Sequence, residues 1–188
     1  MLNKLKIIIP VLIIISVSMQ ASAQDRKNYF LSPQIGGWFG VIAPLGQTAN
    51  LIETNLGGGG FFRFNLPPDF LKLGLDVSYQ NYKSRGVNEL TFVPIYGTAL
   101  FLLPLNIPLK IQIKLGAGAA YMQIKPDLSE QMEPIFIGGA EVSFPAGKFI
   151  NIGLRLDYIY ILEAGVVANA PGGHIFNVGI CLYFNIIP

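Results

Sequence analysis

His174 is the only histidine in the 188-residue chain, so any chemistry that needs an imidazole, as general base or as metal ligand, has to pass through it. A catalytic imidazole works on a nearby nucleophile and is itself held by a third group. The residue two positions on, which shares a strand face with His174, is Phe176, so His174 reads as a polar rim residue. Cys181 is the sole thiol, which excludes an intrachain disulfide and leaves a small, inert side chain rather than an activated nucleophile. Asp127, Glu130 and Glu133 lie close in sequence, but they lack a metal-ligand spacing and read as a solvated loop face. The glycine run from Gly57 to Gly60 is followed by no Gly-Lys-Ser or Gly-Lys-Thr, so it marks close packing or a bulge, not a phosphate cradle. No catalytic, cofactor or metal site is expected, and the chain is read as non-enzymatic.

The polar residues that remain recur with a period of two. Lys72, Gly74, Asp76, Ser78 and Gln80 alternate with Leu71, Leu73, Leu75, Val77 and Tyr79. Lys110, Gln112 and Lys114 alternate with Ile111, Ile113 and Leu115, and Asn151, Gly153, Arg155 and Asp157 alternate with Ile152, Leu154 and Leu156. Arg63, Asn65, Glu141 and Ser143 fall on the same parity in their own segments. Such segments are strands with one apolar and one polar face. If the polar faces point inward, Arg63, Lys72, Asp76, Lys110, Lys114, Glu141, Arg155 and Asp157 form an interior polar network. The cations outnumber the carboxylates in that set, and a buried charge without a partner is costly. Some cations must therefore sit near wet rims.

The elements that position these faces begin after an export signal. Lys4 and Lys6 precede an apolar run from Ile7 to Val17, and Ala21-Ser22-Ala23 stands ahead of Gln24. This is the pattern of a cleaved signal peptide over residues 1–23, too short to be a membrane helix. Residues 24–188 then form one domain, with no linker or low-complexity tract to divide it. Loss of the two signal lysines from 13 basic residues leaves them equal to the 11 acidic ones, so nucleic acid is not an expected partner. Charged residues are only 13% of the chain and hydrophobic ones 52%, yet no second run could span a bilayer as a helix. A transmembrane β-barrel reconciles the two figures.

Alternation and turn residues give eight strands: Tyr29 to Ala43, Asn55 to Leu66, Phe70 to Tyr82, Glu89 to Leu103, Leu109 to Ile124, Pro134 to Phe144, Phe149 to Leu162 and His174 to Ile187. Each reaches the roughly 9 to 11 residues that a tilted membrane strand needs. The fold class is an all-β, eight-stranded antiparallel up-and-down transmembrane barrel. Proline-bearing connections at residues 66–69, 104–108 and 145–148 read as periplasmic turns. The connections Pro44 to Thr54, Lys83 to Asn88, Lys125 to Glu133 and Glu163 to Gly173 read as longer surface loops. Parity sends Tyr79, Tyr121, Tyr158, Tyr160, Phe64, Phe144 and Phe184 to the lipid face as interfacial girdles. Strands one and four are too uniformly apolar to assign a face.

The last strand carries a family resemblance. Asn177, Gly179, Leu182 and Phe184 resemble the polar, glycine, hydrophobic, hydrophobic signal read by the outer-membrane assembly machinery, although Asn185-Ile186-Ile187-Pro188 extends past the terminal aromatic. The mature chain resembles small OmpA/OmpX-type barrels. That resemblance implies a bacterial outer-membrane location, insertion by the assembly machinery, and lipid as the surrounding partner; no peptidoglycan-binding domain is expected after the barrel. Barrel lipid A deacylases look like a His and a Ser two residues apart, and Phe176 departs from that pattern. Barrel palmitoyltransferases need a His in the first loop, which this chain lacks. The leading expectation is a monomeric envelope protein whose loops contact an extracellular ligand or host protein. A narrow channel for small hydrophobic molecules is the alternative, and a secreted soluble lipid-binding barrel the third.

Overall fold

Short runs rich in Ile, Val, Leu, Phe and Tyr, interleaved with Gly and polar residues and punctuated by Pro, favour extended chain throughout. The structure, a computed structural model, describes residues 33–50, 52–67, 70–83, 89–105, 107–125, 129–146, 149–162 and 172–186. Eight strands follow: β1 (Gln34–Pro44), β2 (Asn55–Leu66), β3 (Leu71–Lys83), β4 (Glu89–Leu102), β5 (Lys110–Lys125), β6 (Ser129–Pro145), β7 (Ile150–Ile161) and β8 (Gly173–Asn185). Each pairs antiparallel with its sequence neighbours, and β8 pairs with β1 to close the barrel. The signal segment and residues 29–32 of the expected first strand lie outside the described residues.

The register sets the bore. Following hydrogen-bonded partners round the wall from Gln34, through Arg63, Gly74, Thr98, Gly116, Ile137, Ile159 and Ile175, returns to β1 at Pro44, 10 residues further along. An offset of that size over eight strands tilts them by roughly 40° and leaves an interior just wide enough for side chains to fill. Pro94 interrupts one ladder: β3 and β4 pair at Val77 with Ile95 and again at Gln80 with Phe92, but not between, since proline has no N–H to donate.

The expected third connection needs correction. The third connection is not a loop from Lys125 to Glu133: β6 begins at Ser129, and the partners Gln123 with Glu130 and Ile124 with Ser129 continue the ladder. Residues 126–128 alone join a long β5–β6 hairpin. Glu130 and Glu133 are consequently strand residues, and Glu133, at 7% exposure, is buried instead of solvated; Asp127 lies outside the described residues. The first connection holds a short 3-10 helix over Gly46–Asn50 and is tied down. Leu45 N donates to His174 O at 2.8 Å, His174 N to Thr48 Oγ1 at 3.1 Å, and Glu53 N to Lys83 O at 2.9 Å.

Polarity is inverted relative to a water-soluble fold. Ile35, Phe39, Leu75, Tyr79, Leu115, Phe136, Ile180 and Leu182 form an exposed apolar belt, with Phe39 at 62% and Ile180 at 66%. Arg63, Lys114, Arg155, Asp76, Asp157 and Glu141 are sealed within. The seven aromatics that parity sends outward all occupy the outer face, including half-buried Phe64, Tyr121 and Tyr160. The two unassigned strands are resolved as well: β1 turns Gln34, Trp38 and Ile42 inward, and β4 turns Phe92, Tyr96, Thr98 and Leu100 inward.

Candidate functional site

Along the barrel axis the inward side chains sort into three bands. The end bearing the β2–β3, β4–β5 and β6–β7 connections, the turn end, carries Gln34, Asn65, Lys72, Lys110, Gln112, Ser143, Asn151 and Tyr183. The middle band carries Arg63, Asp76, Tyr96, Thr98, Lys114, Glu141, Arg155 and Asp157. The opposite loop end is largely apolar, a plug of Ile42, Phe92, Ile135, Ile159, Ile161 and Ile175 with Ile52 of the first connection packed into it, beside a buried hydrogen-bonded chain of Tyr82, Gln80 and Ser78 on β3 and buried Glu133 on β6. A polar interior throughout was the expectation; β3 keeps to it with Ser78 and Gln80, but β1, β6, β7 and β8 turn isoleucine inward in their loop-end halves.

The middle band is a set of ion pairs that span the bore. Arg63 Nη1 and Nη2 donate to Glu141 Oε1 and Oε2 at 3.0 and 2.8 Å, a bidentate fork that matches guanidinium to carboxylate. The Arg63 guanidinium also stacks 3.9 Å from the centroid of Phe61. Arg155 Nη2 donates to Asp76 Oδ1 at 2.6 Å and to the Tyr96 hydroxyl at 2.8 Å, while Arg155 Nε donates to Asp157 Oδ2 at 2.5 Å. Lys114 Nζ meets Asp157 Oδ1 at 2.5 Å, and Thr98 Oγ1 donates to Asp76 Oδ2 at 3.1 Å. Three cations face three carboxylates here, so the band is neutral.

Room for these long side chains comes from glycines on the same face. A Cβ at Gly139 would collide with Asp157 Oδ1 and with Leu156 O, and one at Gly74 would lie 2.9 Å from both Arg63 Cγ and Thr98 Oγ1. Close approach is the reason for glycine at both places.

Of the residues singled out in the sequence, the structure joins Arg63 to Glu141, and Asp76, Arg155, Asp157 and Lys114 to one another. Lys72 and Lys110 stand apart at the turn end: buried Lys72 donates only to Gln34 Oε1, at 3.0 Å, and Lys110 is half-buried. Sequence reasoning missed Tyr96, Thr98 and Trp38 because their strands carry no polar alternation. Asn177 and Gly179 face inward on β8, and Leu182 and Phe184 face outward toward its end. Cys181 is buried in the interior. His174 faces outward, where Tyr158 Oη lies 2.6 Å from His174 Nδ1 and Tyr160 packs on the same ring. Among the described residues no three of His, Cys, Asp and Glu gather as a metal site.

No family model and no curated protein matches the sequence. Solved structures do match in shape. Neisserial surface protein A (NspA) superimposes with a TM-score of 0.61 at 11% identity, covering 82% of this chain and 97% of that one. A major outer membrane protein from Thermus thermophilus gives 0.55 at 11% identity, covering 82% and 100%. The outer membrane protein OprG from Pseudomonas aeruginosa gives 0.53 at 10% identity, covering 84% and 98%. At such identities the likeness speaks for the backbone alone, and it agrees with the closed, up-and-down wall: this chain has the fold of the small eight-stranded outer-membrane β-barrels.

Proposed function

We propose that the protein is an integral bacterial outer-membrane barrel, exported by a signal peptide over residues 1–23 that is cleaved after Ala23. In this reading residues 24–188 are the barrel, a non-enzymatic monomer that stabilises the envelope and presents its loop end to an extracellular ligand or host protein. The observation that carries it is the inverted polarity. A lipid-binding soluble barrel keeps apolar residues inside and charge outside, whereas here the paired charges are sealed and the apolar belt is bare, which water would penalise and hydrocarbon satisfies. The turn end would face the periplasm. Leu182 and Phe184, exposed on the closing strand, are then available to the assembly machinery, with Asn177 and Gly179 packing inside.

The packing inside supports a scaffold with active loops over a conduction path: ion pairs span the middle of the bore, and buried isoleucines fill much of its loop end. Surface contact has a parallel in another barrel of this shape, the attachment invasion locus protein Ail of Yersinia pestis, which was solved in complex with the heparin analogue sucrose octasulfate. The test is refolding of residues 24–188 from denaturant into plain buffer and, in parallel, into detergent micelles. Detergent-dependent β-sheet circular dichroism, with gel mobility that changes on boiling, is the expected result. Monomeric folding in plain buffer would sink the membrane reading.

A further inference from the structure

Among the described residues the ion pairs of the middle band use up every carboxylate near them, and two ammonium groups are left over at the turn end. Lys72 is 5% exposed. One of the three donors of its ammonium is used, on the neutral amide of Gln34. Glu141 is already gripped by both arms of Arg63. Lys110 projects from β5, one strand beyond the β4 edge that flanks Lys72, and has no ion-pair partner among the described residues.

Neutral groups at the turn end are themselves short of partners. Both amide atoms of Gln112 and of Asn151 are buried without a hydrogen bond, as is Asn65 Oδ1. Gln112 and Asn151 are fully buried. Gln112 sits two residues from Lys110 on the same face, and Asn65 is the β2 partner of Lys72. Buried amides are nearly always paired, and a buried ammonium is nearly always balanced by opposite charge. Unpaired polar atoms also occur higher in the bore, at Trp38 and Asn177, but at the turn end they coincide with the unpaired ammonium groups, and both shortages are relieved there by a ligand that is anionic and accepts several hydrogen bonds.

We propose that the turn end of the barrel binds a phosphate-sized oxyanion, held by the ammonium groups of Lys72 and Lys110 with amide donors of Gln112 and Asn151 beside them. A tetrahedral oxyanion supplies the missing negative charge and acceptors for the unused donors. Its phosphate belongs either to a free ion or to a lipid headgroup reaching the barrel mouth. The site is independent of the loop-end contacts proposed above.

The test is equilibrium dialysis of labelled inorganic phosphate against the folded barrel in a non-ionic, phosphate-free detergent, with folding of each variant checked by heat-shifted gel mobility. One saturable site per barrel is expected, competed by sulfate and not by equal chloride. Lys72→Gln and Lys110→Gln should each weaken it by about tenfold or more, as for a lost charge-assisted hydrogen bond. Lys125→Gln, at the far end of β5, should leave it unchanged. Half-exposed Lys110 gives the variant least able to disturb folding. Displacement of phosphate by bilayer discs containing phosphatidylglycerol would support the site with the headgroup as its source, and failure to displace would support it with the free ion. Absence of saturable phosphate uptake, or uptake unaltered in both lysine variants, would overturn the proposal.

Discussion

Arg63 on β2 reaches across the bore to Glu141 on β6 and closes both arms of its guanidinium on one carboxylate, at 3.0 and 2.8 Å. The partners are 78 residues apart in sequence and lie on strands that never pair. The contact therefore forms only when the wall is closed with its full stagger, and it ties opposite sides of the barrel together.

Removing one member of this pair strands the other in a dry interior. Arg63→Ala and Glu141→Ala should each destabilise the barrel by about 3–5 kcal/mol, the usual cost of an uncompensated buried charge. Replacing both together, as Arg63→Met with Glu141→Leu, removes the two charges and should recover most of that loss. Urea unfolding in detergent, followed by heat-shifted gel mobility, measures all three. A double replacement as damaging as the two single losses combined would mean that the pair is not energetically coupled.

Adjacent glycines on β6 test the facing directly. At Gly138 an added Cβ meets nothing within 4 Å, while at Gly139 it runs into the Asp157 carboxylate and the Leu156 carbonyl. Gly138→Ala should lie within about 0.5 kcal/mol of the parent. Gly139→Ala should cost about 1–3 kcal/mol, as overpacking does. Equal effects at the two positions, by the same unfolding measurement, would contradict the inward placement of Gly139.

Where the sequence was readable, contrast made it so. On β3, β5 and β7 a charged or amide residue alternates with a branched one, and the wall inverts that contrast without ambiguity. Trp38, Ile42, Phe92, Tyr96 and Leu100 were not assignable because β1 and β4 are apolar on both faces. The plug went unread for another reason: parity already sent Tyr158 and Tyr160 outward, which puts Ile159 and Ile161 inward, but only the polar residues of the inner faces were followed. The partner choices in the charged band were also out of reach, since which residues meet across the bore depends on the 10-residue stagger, a property of closure rather than of any one strand. The β5–β6 hairpin was misjudged because Glu130 and Glu133 look like loop residues, although both continue the ladder.

The exposed belt separates lipid from water as the outer solvent. Leu75 and Leu115 are both 57% exposed on the outer face. In a soluble protein, arginine at such positions is nearly neutral. In a bilayer, Leu75→Arg or Leu115→Arg should cost about 2–4 kcal/mol near the midplane and less toward the interfaces. Unfolding from phospholipid vesicles reads the difference, and neutral behaviour at both positions would argue that this face does not contact hydrocarbon.

The plug makes a prediction about passage. Phe92 is wholly buried among the loop-end residues, so Phe92→Ala should cost about 3–5 kcal/mol by leaving a cavity. That cavity would lie beside the Gln80 amide, which is already bonded to Tyr82 and Ser78, while the paired charges beneath it remain packed. The parent and Phe92→Ala should therefore both be silent in planar-bilayer recordings, even though the variant unfolds at lower urea. Stable unitary steps from the parent would show that water threads the bore, and the closed interior would have to give way to a conducting one. Steps from the variant alone would locate the barrier at the plug and show that the ion-pair band beneath it passes solute.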